Sequence, residues 1–121
     1  MGVCIRQLGG EFFMAAKDKA EAFKVAKPLH GHYVRKGDTD DCLNLGEVLR
    51  TWGYEAREDA EGNIVKFSCE NEKLGDEHEL FKAIAPWVKA GSYLEMSGDY
   101  GQWRWIFDGT TCIERWPETK W

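Results

Sequence analysis

His30 and His32 stand two residues apart, followed closely by Asp38, Asp40, Asp41 and Cys42, and this is the only stretch with the side-chain chemistry of a metal site. An extended H-x-H segment turns both imidazoles to one side and binds zinc when a third ligand arrives. No such ligand stands at a familiar zinc spacing, and Asp38-Thr39-Asp40-Asp41 lacks the glycine and terminal glutamate of an EF-hand loop. The stretch reads as a solvated loop, so no metal is expected. Nucleophilic chemistry is equally thin. There is no G-x-S-x-G, the four cysteines (Cys4, Cys42, Cys69, Cys112) form no C-x-x-C, and His78 heads a helix with no cysteine near it in sequence. Gly9-Gly10 is too short to cradle a phosphate. No catalytic residue and no cofactor are expected.

Two other groups of residues can bind without reacting. The first is aromatic. Along 102–107, Trp103, Trp105 and Phe107 alternate with Arg104 and Ile106; the preceding strand carries Tyr93, Glu95 and Ser97 against Leu94 and Met96; the last carries Cys112, Glu114 and Trp116 against Ile113 and Arg115. Both faces of this meander are partly apolar. The face with Trp103, Trp105, Phe107 and Trp116 either fills the core or, with helices on the opposite side, is exposed as a docking surface. Trp, Tyr and Arg are the residues enriched at interface hot spots, so Tyr93, Trp103, Arg104, Trp105, Phe107, Arg115 and Trp116 are the candidate interaction set. Arg104 and Arg115 beside Glu95 and Glu114 are candidates for cross-strand ion pairs.

The second group is acidic. Residues 1–36 carry a net charge of +4 and residues 37–121 a net charge of −9, for −5 overall. The acid is densest in 55–79, where Glu70, Glu72, Asp76 and Glu77 form a candidate patch. Such a field repels a phosphate backbone and disfavours direct nucleic-acid binding.

The elements that must position these groups follow from period and punctuation. Glu11–Met14 reads as a short strand after Gly9-Gly10. Ala15–Leu29, rich in Ala and Lys, reads as a helix ended by Pro28 and Gly31. Leu45, Val48, Leu49 and Trp52 make one apolar helix face, with Asn44 and Glu47 spaced as a capping box and Gly53 as the stop. Tyr54–Glu58 and Ile64–Glu70 flank a turn at 59–63, a hairpin with Gly62 at the positive-φ position. A third helix starts at Asp76 with Glu79 as its capping partner, buries Leu80, Phe81, Ile84, Ala85, Trp87 and Val88, and is broken or re-started at Pro86. Strands over 92–97, 102–107 and 111–116 complete the chain, joined by turns at 98–101 and 108–110. Helices and strands are partly segregated, which predicts an α+β domain over 1–121: an antiparallel sheet of about five to six strands, with three helices packed mainly on one face.

The length of 121 residues, with 43% hydrophobic and 31% charged residues, suits one compact domain and excludes a disordered chain. No stretch approaches the ~20 apolar residues of a membrane span, and the N-terminus lacks the features of a signal peptide, so a cytoplasmic protein with reduced thiols and no membrane partner is expected. Ala85-Pro86-Trp87-Val88, with Gly91-Ser92-Tyr93-Leu94-Glu95-Met96-Ser97-Gly98 and Trp103-Arg104-Trp105-Ile106-Phe107-Asp108-Gly109, resembles the end of small uncharacterised bacterial and phage-associated proteins. The resemblance covers roughly the last quarter of the chain. It implies a prokaryotic or phage protein and attaches no activity to it.

An aromatic excess without a catalytic set points to a non-enzymatic protein-interaction module whose partner is a protein, one candidate being a second copy of the chain. Two alternatives stand beside it. One is a phage-type, anti-CRISPR-like inhibitor of a host defence or nucleic-acid enzyme acting through the acidic surface. The other is a small-ligand binder or enzyme with a pocket between helices and sheet.

Overall fold

The computed structural model describes residues 3–31, 34–69, 73–74, 76–98 and 101–116. His32, Glu70, Glu72 and the centre of the 98–101 turn, all singled out above, lie outside the described residues. In chain order the elements are β1 (Val3–Glu11), α1 (Lys19–Ala26), α2 (Leu45–Thr51), β2 (Tyr54–Glu58), β3 (Ile64–Cys69), β4 (Lys73–Leu74), α3 (Glu77–Ile84), β5 (Tyr93–Gly98), β6 (Gly101–Phe107) and β7 (Cys112–Arg115). Short 3-10 turns precede α1 at Ala16–Asp18 and follow α3 at Ala85–Trp87. The chain is α+β. Five strands form an antiparallel sheet in the order β4-β1-β5-β6-β7, and β2 and β3 form a separate hairpin. No described helix is long and apolar enough to cross a membrane.

The second strand in this order is a correction to the sequence reading. The expected strand at Glu11–Met14 in fact ends at Glu11, and β1 runs back to Val3 through both glycines. The paired glycines break no strand, because Gly10 is what lets β1 approach β5. Its φ is +154°, and a Cβ there would lie 2.5 Å from the Tyr93 carbonyl oxygen. A bulge between Gln7 and Gly9 adds an extra residue to β1. That residue, Leu8, is 41% exposed. Past the strand, Met14 is held on both sides, bridging Ile64 and Val88.

The helices obey local rules with two exceptions. In α2, the N-cap Asn44 Oδ1 accepts from the Glu47 N–H (3.0 Å), and Glu47 Oε1 reaches back to accept from Leu43 N–H (2.7 Å), one residue before the N–H that a capping box uses. Leu45, Val48 and Leu49 are buried, as is Trp52 at the C-cap. The helix expected over Ala15–Leu29 is shorter. Ala16 N–H is taken by Asn63 Oδ1 (2.8 Å), and the first turn tightens to 3-10 geometry. In α3 the expected capping box does not form. Asp76 is left-handed (φ +66°) rather than extended, its side chain makes no cap bond, and the Glu79 carboxylate pairs with Lys82 at 2.8 Å. Pro86 re-starts the helix as a 3-10 turn, as its missing N–H requires.

The core lies between the five-stranded sheet and a layer made by α3 and the hairpin. Phe81 of α3 meets Trp105 (4.8 Å between ring centroids) and Phe67 of β3 (5.7 Å), and Phe67 stacks on Phe12 (4.9 Å) and Tyr54 (5.0 Å). Gln7 fastens the hairpin to β1 by behaving like a strand residue. Its Nε2 donates to the Phe67 carbonyl (3.1 Å) and its Oε1 accepts from the Cys69 N–H (2.5 Å).

Candidate functional site

The register of the sheet sorts the predicted interaction residues into two sets. Leu94 faces Trp105, Met96 faces Trp103, and Phe107 faces Cys112 across neighbouring strands. All six are buried, with Trp103 at 1% and Trp105 and Phe107 at 0% exposure. Trp103, Trp105 and Phe107 are therefore core residues, which corrects their place in the candidate docking set. The physical reason is non-local: α3 and the β2–β3 hairpin supply an aromatic layer that covers this face.

Tyr93, Arg104 and Arg115 stand on the opposite face, where no described helix packs. Rows of side chains cross it from β1 to β7. One row runs Glu11, Tyr93, Ile106, Ile113; the next runs from the Leu8–Gly9 bulge through Glu95 and Arg104 to Arg115; a third holds Arg6, Ser97 and Gln102. Arg104 is fixed in the middle. Its Nη2 and Nε both donate to Glu95 Oε1, at 2.8 and 3.0 Å, and its guanidinium lies 4.9 Å from the Tyr93 ring centroid. A half-exposed ion pair and a cation–π contact are each worth no more than about 1 kcal/mol, so their main effect is to hold the array in one geometry. Ile113 is 39% exposed at one edge and Leu8 41% near the other. Charge is polarised across the two long rows, with Glu11 and Glu95 toward β1 and Arg104 and Arg115 toward β7.

Trp116 belongs to neither face centre. It is 38% exposed just beyond β7, stacks on Trp103 (4.9 Å, 26°), and its Nε1 donates to Glu114 Oε2 at 3.0 Å. Glu114 also accepts from Trp105 Nε1 at 3.0 Å. It therefore lies on the tryptophan side, away from Arg115, contrary to the second expected cross-strand pairing. His78 Nε2 donates to the Cys112 carbonyl at 2.8 Å, so the first turn of α3 covers part of the β7 edge. Sequence distance hid this meeting of His78 with the Cys112 backbone. The thiol itself is inert: burial, reinforced by the charges of Glu114 and Asp108, pushes it up to about 12.

The two described acidic candidates do not share a surface. Asp76 is exposed, but Glu77 is 1% exposed, and Tyr54 Oη donates to its Oε2 at 3.3 Å; Glu77 is thus a buried group and no part of a surface patch. Around it Glu55 pairs with Arg50, Glu58 with Lys19 and Glu79 with Lys82. One groove, of about 510 Å³, is lined by Ala16, Lys19, Ala20, Phe23, Leu43 and Glu58, among others. Its Lys19 and Glu58 are bonded to each other at 2.7 Å, and Asn44 caps α2. Among the described residues no three His, Cys, Asp or Glu side chains converge as a metal site does.

Arg6, Leu8 and Glu11 were missed as members of the open face. Their only sequence signal is the alternation of β1, interrupted by two glycines. No protein-family model, curated protein or solved structure matches the chain.

Proposed function

We propose that this protein is a binding module that docks a protein partner through the open face of the five-stranded sheet, without catalysing a reaction. The observation that carries the reading is the fixed Tyr93–Arg104–Glu95 array flanked by Ile106 and the exposed Ile113. Aromatic and arginine side chains already held in place give up little conformational entropy on binding, which is the composition and preorganisation of an interface centre. The charged groups of the groove beside α1, Lys19 and Glu58, are occupied with one another, which favours the sheet face as the binding surface.

Site-specific photo-crosslinking tests this. A photoreactive phenylalanine analogue at position 113 should give discrete adducts in cells expressing the protein, whereas the same group at exposed Lys24 or Glu61, away from this face, should not. Adducts at 113 no stronger than at those two positions would refute the reading.

A further inference from the structure

We infer that the occupant of the open face is an acidic segment of another protein, which seats a carboxylate against Arg104 and Arg115 and lays an apolar side chain beside it on Ile106 and Ile113. The inference rests on the reading of that face as a docking surface and names the chemistry of what docks there.

Arg104 and Arg115 are direct partners across β6 and β7, so their side chains leave the same face about 5 Å apart. Like charges placed directly opposite one another destabilise a sheet. Glu95 offsets part of this by holding Arg104 from the β5 side at 2.8 Å. Arg115 is exposed and makes no ion pair among the described residues. Its chain neighbour Glu114 is turned to the tryptophan side, where it accepts from Trp105 and Trp116. The β6–β7 half of the face thus presents two guanidiniums and no described carboxylate. A carboxylate supplied from outside meets that surplus with charge-assisted hydrogen bonds.

One step along the strands, about 7 Å away, Ile106 and Ile113 are also direct partners, and Ile113 is 39% exposed. The seat is therefore a small cationic site with an apolar shelf beside it. A segment that fits it carries an Asp or Glu two residues from an apolar residue in a strand, or three or four in a helix. A nucleic-acid backbone repeats its charge along its length and would meet Glu95 and Glu11 in the other half of the face; the pattern favours a single carboxylate with an apolar neighbour. Charges more than about 8 Å away are screened at physiological salt, so these guanidiniums, rather than the net charge of −5, govern the contact.

The photoreactive group at position 113 also tests the occupant. Peptide mapping of its adduct should place the crosslink two to four residues from an Asp or Glu of the partner. Arg115→Glu should cut the adduct roughly tenfold or more, and Lys24→Glu, the same charge change away from this face, should leave it unchanged. Reversing the mapped carboxylate to Arg should restore the adduct of Arg115→Glu to within about threefold of the original. In urea, Arg115→Gln should show an unchanged or higher midpoint, because it relieves the opposition of the two guanidiniums; a weaker adduct in that variant then reports binding and not folding.

An adduct that maps to a segment without acid, survives Arg115→Glu, is shortened by nuclease or has twice the mass of the chain overturns the acidic occupant, while the docking face stands. A lower midpoint for Arg115→Gln overturns it too, since it shows that Arg115 is held by the fold. No adduct above the controls removes the docking face itself, and this inference with it.

Discussion

Trp103 and Trp105 are neighbours on one face of β6 and almost equally buried, yet their indole N–H groups have different fates. Trp105 Nε1 donates to Glu114 at 3.0 Å, whereas Trp103 Nε1 meets no acceptor among the described residues. Trp→Phe removes the same atoms at both sites, so the lost packing is a shared cost of roughly 1–3 kcal/mol. The polar contributions have opposite signs. Trp105→Phe loses a charge-assisted hydrogen bond, taken near the low end at about 1.5 kcal/mol because the Glu114 side chain is 34% exposed and rehydrates. Trp103→Phe deletes an unsatisfied buried donor, whose desolvation costs about 1–3 kcal/mol in the native state. Trp105→Phe should therefore destabilise the fold by about 2.5–4.5 kcal/mol more than Trp103→Phe, which should be close to neutral. Urea unfolding followed by far-UV circular dichroism reads this as a difference in midpoint at constant slope. Glu114→Gln, which keeps an acceptor for Trp105, should cost less than Glu114→Ala. If Trp103→Phe proves as damaging as Trp105→Phe, the argument from indole satisfaction is wrong.

Gly10→Ala should separate β1 from β5 and cost about 2 kcal/mol or more, since the added Cβ meets the Tyr93 carbonyl at 2.5 Å and φ is +154°; a midpoint unchanged from wild type would contradict the pairing. With its thiol near pKa 12, Cys112 should alkylate at pH 8 at least about a hundredfold more slowly in the native protein than in urea, and peptide mapping after iodoacetamide treatment checks this. Stability should fall under alkaline conditions. Tyr54 is pushed well above its usual value of 10 by burial, then by the charge of Glu77 and by Cys69. A native pKa raised above the unfolded one gives stability that is full below about pH 10 and lost as pH rises further, by up to about 1.4 kcal/mol per pH unit for each proton the unfolded chain gives up first. Cys112 begins the same loss from about pH 9. Thermal midpoints between about pH 8 and 11.5 should show the decline, with a shallower slope above pH 10 in Tyr54→Phe; an identical slope in that variant would exclude Tyr54 as a source.

The sequence by itself determined whatever is governed by neighbours a few residues apart. Strand alternation placed Trp103, Trp105 and Phe107 on one side and Arg104 and Ile106 on the other, because successive side chains of a strand must point oppositely. Helical spacing picked out the buried Leu45, Val48, Leu49 and Trp52, and turn chemistry placed Gly62 and the restart at Pro86. The tertiary structure decided which side of the meander is dry. That depends on Phe67 and Phe81 arriving from elsewhere in the chain, and no local pattern records where a distant helix will pack. Long-range pairing also brought β1 beside β5, where a close backbone approach made Gly10 a requirement of the strand. The same packing buried Glu77 out of an acidic run that composition alone reads as surface. Burial is a property of the covering layer, so the pattern sorted the tryptophans from the arginines, and only the fold assigned one set to the core and left the other open.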